Sequence, residues 1–154
     1  MRYLGIDPGF RKSLGYVIVE VPPEHRSIVR IPDAGIVDLS RIPLRVAASI
    51  LRDRASAHRV TEALIEDFLF LGNREKNRAP WRLVARMQNL IGYLSGFLSA
   101  SGIPTTKVPP KRWRSRTHPE HLSALLKSSG HHANPHTVSA LGIVLGELAA
   151  RKTD

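Results

Sequence analysis

Tyr3-Leu4-Gly5-Ile6-Asp7-Pro8-Gly9, followed by Leu14-Gly15-Tyr16-Val17-Ile18-Val19-Glu20-Val21, is the stretch that decides the fold. Two short runs rich in Val, Ile, Leu and Tyr flank Gly9 to Ser13, which reads as a tight hairpin loop. Asp7 closes the first apolar run, so its carboxylate stands at the end of a strand that the apolar pattern buries. A third strand is expected over Ala34 to Leu39, after a loop holding Pro22, Pro23 and Pro32, and completes an antiparallel meander.

Beyond Pro43 the period changes from two to between three and four. Leu44, Val46, Ala47, Ile50 and Leu51 share one helical face, and the pattern fades near His58. Ala63-Leu64-Ile65-Glu66 is short and apolar and reads as a buried strand, again ended by a carboxylate. Trp81 to Ala100 reads as a long helix, with Leu83, Val84, Met87, Leu90, Ile91, Leu94 and Leu98 on one stripe. Gly92 and Gly96 lie four apart on it and would let another helix approach closely. Ile103 to Val108 is a further strand, stopped by Pro109-Pro110. Thr117-His118-Pro119-Glu120 has capping-box spacing, with Thr117 as the N-cap of a helix that stops at Gly130. Asn134-Pro135 caps the last helix, His136 to about Arg151. Nothing divides the chain, so residues 1–154 are expected to form one domain in the order βββαβαβαα.

Composition narrows the function. The 154 residues hold 23 Lys plus Arg against 13 Asp plus Glu, a net charge of +10, with no cysteine. Thiol catalysis, Cys-ligated zinc and disulfides are therefore excluded. No apolar run approaches the roughly 20 residues of a membrane span, and Met1 leads into a strand rather than a signal peptide, so no membrane association and a cytoplasmic location are expected. Between Arg74 and Arg116 lie ten basic residues and one acid, a local balance of +9, together with both tryptophans. Arginine outnumbers lysine 17 to 6, and its guanidinium fork suits phosphate oxygens. A solvated basic face accounts for such a run without any ligand, but a polyanion, nucleic acid first, is the better reading.

Asp7 and Glu66 are the two acids that surface exposure does not explain. At the end of a buried strand each is desolvated unless a cation pairs with it, a divalent metal being the strongest such partner, and the alternative is that each caps a helix or binds a buried arginine. His136 falls in the first turn of the last helix, and position 139 faces the same way one turn on.

On these residues the chain resembles the RuvC-type Holliday junction resolvases, nucleases of the ribonuclease H-like superfamily. Gly5-Ile6-Asp7-Pro8-Gly9 with Leu14-Gly15-Tyr16 is similar to the family's opening. Ile65-Glu66-Asp67-Phe68 stands where it has its second acid, Gly92-Tyr93-Leu94-Ser95-Gly96 resembles its central helix, and Asn134 to Leu141 resembles its last motif. The resemblance runs from Met1 to about Ala150. It implies an α/β fold, a mixed five-stranded sheet with helices on both faces, and symmetric hydrolysis of phosphodiesters in four-way DNA junctions.

It further implies a metal site of Asp7, Glu66 and His136 with two Mg²⁺ or Mn²⁺ ions per active site, and position 139 as the fourth catalytic member. There the chain departs from the pattern, since Ser139 stands where an aspartate is expected. Asp7 and Glu66 bring two negative charges to the site, and His136 and Ser139 bring none, too few for two hard cations. Glu147 is eight residues further along the helix, roughly 12 Å away, and cannot replace the missing acid. Ser139 therefore marks either an inactivated form that still traps DNA or a natural variant with a weakened second metal. Histidine in place of an acid also softens the site toward Mn²⁺.

The candidate DNA contacts are Arg74, Lys76, Arg78, Lys111, Arg112, Arg114 and Arg116. Phe68 and Phe70 are candidates to wedge against an unpaired base at the crossover, with core packing as the alternative. Symmetric cuts require two sites at fixed separation, hence a C2 homodimer, with the Trp81 to Ala100 helix as the expected interface. A non-catalytic branched-DNA binder and an RNA-processing nuclease of the same superfamily are the competing readings. An actin-like sugar kinase needs a duplicated domain of more than twice this length and is discarded.

Overall fold

The computed structural model describes residues 1–9, 12–22, 29–67 and 81–153. The chain runs β1 (Arg2–Asp7), β2 (Ser13–Glu20), β3 (Arg30–Asp38), α1 (Leu44–Ala57), β4 (Glu62–Glu66), α2 (Trp81–Ala100), β5 (Thr105–Val108), α3 (Pro110–Arg114), α4 (Pro119–Ser128) and α5 (Pro135–Arg151). The five strands form one sheet in the order β3-β2-β1-β4-β5. β1, β2 and β3 pair antiparallel, whereas β4 lies parallel to β1 and β5 parallel to β4.

The period of two along each strand divides the core into two layers. Leu4, Ile6, Leu14, Tyr16, Ile18, Ala63 and Ile65 face α1 and α2. Tyr3, Val17, Val19 and Leu64 point the other way and pack with Trp113 of α3, Leu122 and Leu126 of α4, and Leu141, Ile143 and Val144 of α5. α5 is apolar over most of its circumference because the sheet lies on one side of it and α3 and α4 on the other.

Several boundaries differ from the sequence expectation. β3 begins at Arg30 rather than Ala34 and runs through Pro32, which is compatible with pairing because β3 is an edge strand and a register shift lies opposite, between Ile18 and Glu20. β5 starts at Thr105 rather than Ile103, whose N–H instead closes the end of α2 on the carbonyl of Leu98. Val46, expected on the buried face of α1, is exposed. Pro109-Pro110 does more than stop a strand, since Pro110 opens the unanticipated short helix α3. Thr117 is not the N-cap of α4. His118 holds that position without a side-chain bond, and the Thr117 hydroxyl donates to the carbonyl of Trp113 at 3.0 Å.

Candidate active site

Asp7 and Glu66 are brought together by strand register alone. Ile6 stands opposite Ile65 in the parallel pair, so the next residues, Asp7 and Glu66, are neighbours on adjoining strands about 5 Å apart. By alternation both carboxylates project to the α5 face, with Tyr3, Gly5 and Leu64. Asp7 is buried, and its Oδ1 accepts the Gly9 N–H at 2.9 Å, a turn that Gly9 permits with φ of 65°.

Helix α5 delivers the imidazole. The Asn134 side chain accepts the N–H groups of His136 and Thr137 at 2.9 and 3.0 Å, and the Thr137 hydroxyl accepts the Asn134 N–H at 3.1 Å. This capping box is worth about 1 kcal/mol and fixes where the first turn starts. Gly15, the partner of Asp7 in the β1–β2 register, lies directly under that turn, and a Cβ there would stand 2.5 Å from the His136 carbonyl. A Cβ on Gly5 would likewise strike the Ala140 carbonyl. Two bare strand positions thus let α5 lie against the backbone of the sheet and carry His136 Nδ1 to 3.1 Å from Asp7 Oδ2. With a proton on Nδ1 the imidazole donates to that carboxylate and keeps Nε2 free of it.

Glu66 has a different set of neighbours. Its side chain is 13% exposed and receives Arg114 Nη2 at 3.1 Å, from a guanidinium that is 64% exposed and lies over the Trp113 ring. The Trp113 indole N–H faces the same carboxyl without completing a hydrogen bond of good geometry. Burial first, and the Asp7 charge second, push the Glu66 carboxyl above its usual range, against the opposing pull of Arg114. A cation between the two acids would therefore compete with a proton on Glu66, and would bind more strongly as rising pH removes that proton.

Ser139 is half-buried, on the stripe of α5 between His136, which meets Asp7, and Gly142 and Gly146, which lie against Trp113. Among the described residues no three His, Asp or Glu side chains are arranged to hold a metal ion. Two carboxylates, completed by water and phosphate oxygens, fit a single hard divalent cation. They do not fit a pair, because His136 and Ser139, the α5 residues on this side, add no negative charge for a second ion.

The basic residues divide into two groups. Lys111 and Arg116 are exposed, and Arg116 donates to the carbonyl of Arg112 at 3.0 Å. Arg112, half-exposed, is engaged on the buried Glu147 at 2.6 Å, and Arg151 binds both Glu147 and Glu62. This lattice ties α3 to α5 and to β4, and so sets where Arg114 meets Glu66. Phe68, Phe70, Arg74, Lys76 and Arg78 lie outside the described residues. Sequence reading found the acids but missed that Arg114 belongs to Glu66, although a cation within reach of a buried acid was the signal available.

No protein-family model matches the sequence, and no curated protein is similar to it in sequence. Among solved structures it is similar to Thermus thermophilus RuvC in complex with a Holliday junction substrate, with a TM-score of 0.70 at 19% identity, over 99% of this chain and 96% of that one. The Fowlpox virus resolvase, solved with Holliday junction DNA, has a TM-score of 0.56 at 15% identity over 97% of this chain and 99% of that one. The yeast mitochondrial Holliday junction resolvase has a TM-score of 0.59 at 14% identity, over 97% of this chain and 78% of that one. The chain has the ribonuclease H-like fold of these resolvases.

Proposed function

We propose that the chain is a structure-selective endodeoxyribonuclease that resolves four-way DNA junctions as a homodimer, by divalent-metal-dependent hydrolysis. The observation that carries this reading is the convergence of Asp7, Glu66 and His136 at the C-terminal ends of two interior strands, in a fold that is that of junction resolvases. Asp7 and Glu66 would hold the ion, Mg²⁺ or Mn²⁺, which when bound supplies a Lewis acid for the phosphate and lowers the pKa of water. In the hydrolysis a water oxygen bonds to phosphorus as the bond to the 3′ oxygen breaks. His136, held by Asp7 through Nδ1, retains Nε2 to hold or move a proton. Arg114, mostly solvent-exposed, needs only to swing from Glu66 to neutralise a phosphate oxygen. Lys111 and Arg116 extend that positive edge, while Arg112 supports it from within.

A four-way junction is expected to bind more tightly than linear duplex of the same length, with affinity falling about a thousandfold or more between 50 and 200 mM salt if six or more phosphates are contacted. Gel-shift titrations in Ca²⁺ at several salt concentrations check this, and equal affinity for the two DNAs at every salt concentration overturns the reading. A non-catalytic branched-DNA binder is the second reading, favoured by Ser139 and by the pairing of Glu66 with Arg114. Cleavage of a junction in Mn²⁺, however slow, decides against it.

The expected dimer surface is the exposed side of α2. Met87, Ile91, Leu94 and Leu98 turn to the core, whereas Gly92 and Gly96 are exposed and have nothing of this chain within 4 Å of an added Cβ. Gly92→Leu or Gly96→Leu therefore meets no clash inside the chain and improves helix propensity by about 1 kcal/mol. Sedimentation is expected to show monomers of raised thermal stability that bind junctions more weakly, and an unchanged dimer for both variants places the interface elsewhere.

A further inference from the structure

The C-terminal ends of β1 and its neighbours carry a second concavity, on the α1 and α2 face of the sheet and so on the opposite side from the carboxylates. Its volume is about 650 Å³, and Pro8 and Gly9, the two residues after Asp7, form part of its lining. The rim and the acid are joined in one turn by the bond from the Gly9 N–H to Asp7 Oδ1.

The chemistry of the wall is divided. Leu39, Leu44, Met87 and Leu90 make it apolar, and Tyr93, 40% exposed, stacks on Phe97, whose ring also lies under Arg52. Arg82 and Arg86, both exposed and one turn apart on α2, line the same cleft, and among the described residues neither meets an acid. An apolar slot with an aromatic platform suits a planar base, and a pair of exposed guanidiniums one turn apart suits a phosphodiester. The volume lies within the range of cavities that enclose a ligand of nucleotide size. Gly92 and Gly96 are not part of the lining, but Gly92 follows Asn89 and Gly96 follows Tyr93 by three residues, so the cleft and the expected dimer surface adjoin on the exposed side of α2.

We propose that this cleft receives one unstacked nucleotide of the DNA strand, close to the bond presented to Asp7 and Glu66. The inference rests on the junction-resolvase reading and adds a site of base contact to it. Nucleotides at a crossover have lost a stacking neighbour and are the least costly to turn out of the duplex. Capturing one around the end of β1 would hold the adjoining phosphodiester at the carboxylates, which ties cutting to a position in the junction.

The test uses the full chain with synthetic four-way junctions in Ca²⁺, each carrying a single abasic site stepped outward from the crossover, read by fluorescence anisotropy. One abasic position is expected to weaken binding about tenfold, with the others within about twofold of the intact junction. Tyr93→Leu keeps apolar packing on Phe97 and removes the platform. It is expected to weaken binding of the intact junction by a similar factor and to erase the penalty of that one abasic position. Arg86→Gln is expected to weaken every junction alike. Abasic junctions that all bind like the intact one, while junctions are still preferred over duplex, overturn the cleft and leave the resolvase reading standing. Loss of the junction preference itself overturns both. Tyr93→Leu monomers whose abasic profile is unchanged from that of the parent chain assign the cleft to a second copy of the chain and also overturn the proposal.

Discussion

Replacing Ser139 with aspartate is expected to raise the rate at which the chain cuts a four-way junction in Mg²⁺ by about a thousandfold, with junction affinity unchanged. Among the described residues Asp7 and Glu66 are the two carboxylates that project to the α5 face where β1 and β4 end, Asp67 following on the other face by alternation, and two are enough for one hard cation but not for two. Position 139 lies on the α5 stripe that runs from His136 toward Trp113, so a carboxylate there faces the corner that Asp7, Glu66 and Arg114 share. A restored ligand and its negative charge need supply only about 4 kcal/mol at the transition state for a thousandfold effect. Because that gain belongs to the reaction and not to docking, kcat rises and Kd does not move. Mn²⁺, less demanding than Mg²⁺ of a full set of oxygen ligands, is expected to narrow the gap between the two chains. Single-turnover cleavage measures this directly, and equal rates for Ser139 and its Asp variant in Mg²⁺ remove position 139 from the metal site.

Gly15→Val is expected to abolish cleavage and to lower stability by about 3 kcal/mol, a fall in Tm of about 10 °C. The added Cβ meets the His136 carbonyl carbon, oxygen and Cβ at 2.5 to 2.6 Å, and these are atoms of a helix turn that cannot rotate aside. α5 must lift from β2, which both opens the core beneath it and draws Nδ1 away from Asp7. Calorimetry and cleavage together check this, and a variant that melts like the parent chain means that α5 does not rest on Gly15. A variant that loses stability but keeps its rate shows that the pairing of His136 with Asp7 is dispensable.

The meander, the long helix and the acids that end β1 and β4 were legible because they rest on local period and on residues with few alternative uses, whereas the burial of Glu147 was not foreseen. Asp7-Pro8-Gly9 after an apolar run announces a strand end, and Asn134-Pro135 announces a helix start, whatever the rest of the chain does. α3 was not legible, since five residues that begin with the second of two prolines carry no period and their helix depends on Trp113 finding Gly142 and Gly146 on another element. Thr117 failed as a cap for the same reason, because its hydroxyl was taken by the carbonyl of Trp113, on a helix that had not been foreseen. The pairing of Glu66 with Arg114 spans 48 positions in sequence and depends on the hold of Glu147 on Arg112, so no spacing within one element could reveal it.

β1 is hydrogen-bonded on both sides and covered on both faces, whereas α3 is a single short turn held by side chains. Amide protons of β1 should accordingly exchange with solvent only through unfolding of the whole domain, and those of α3 through cheap local opening. The site therefore has a half that never rearranges while the protein is folded, the two carboxylates, and a half that fluctuates, Arg114 and its helix. In the proposed reaction, positioning of a scissile phosphate would fall to the first, and adjustment to the differing backbone paths of a branched DNA to the second.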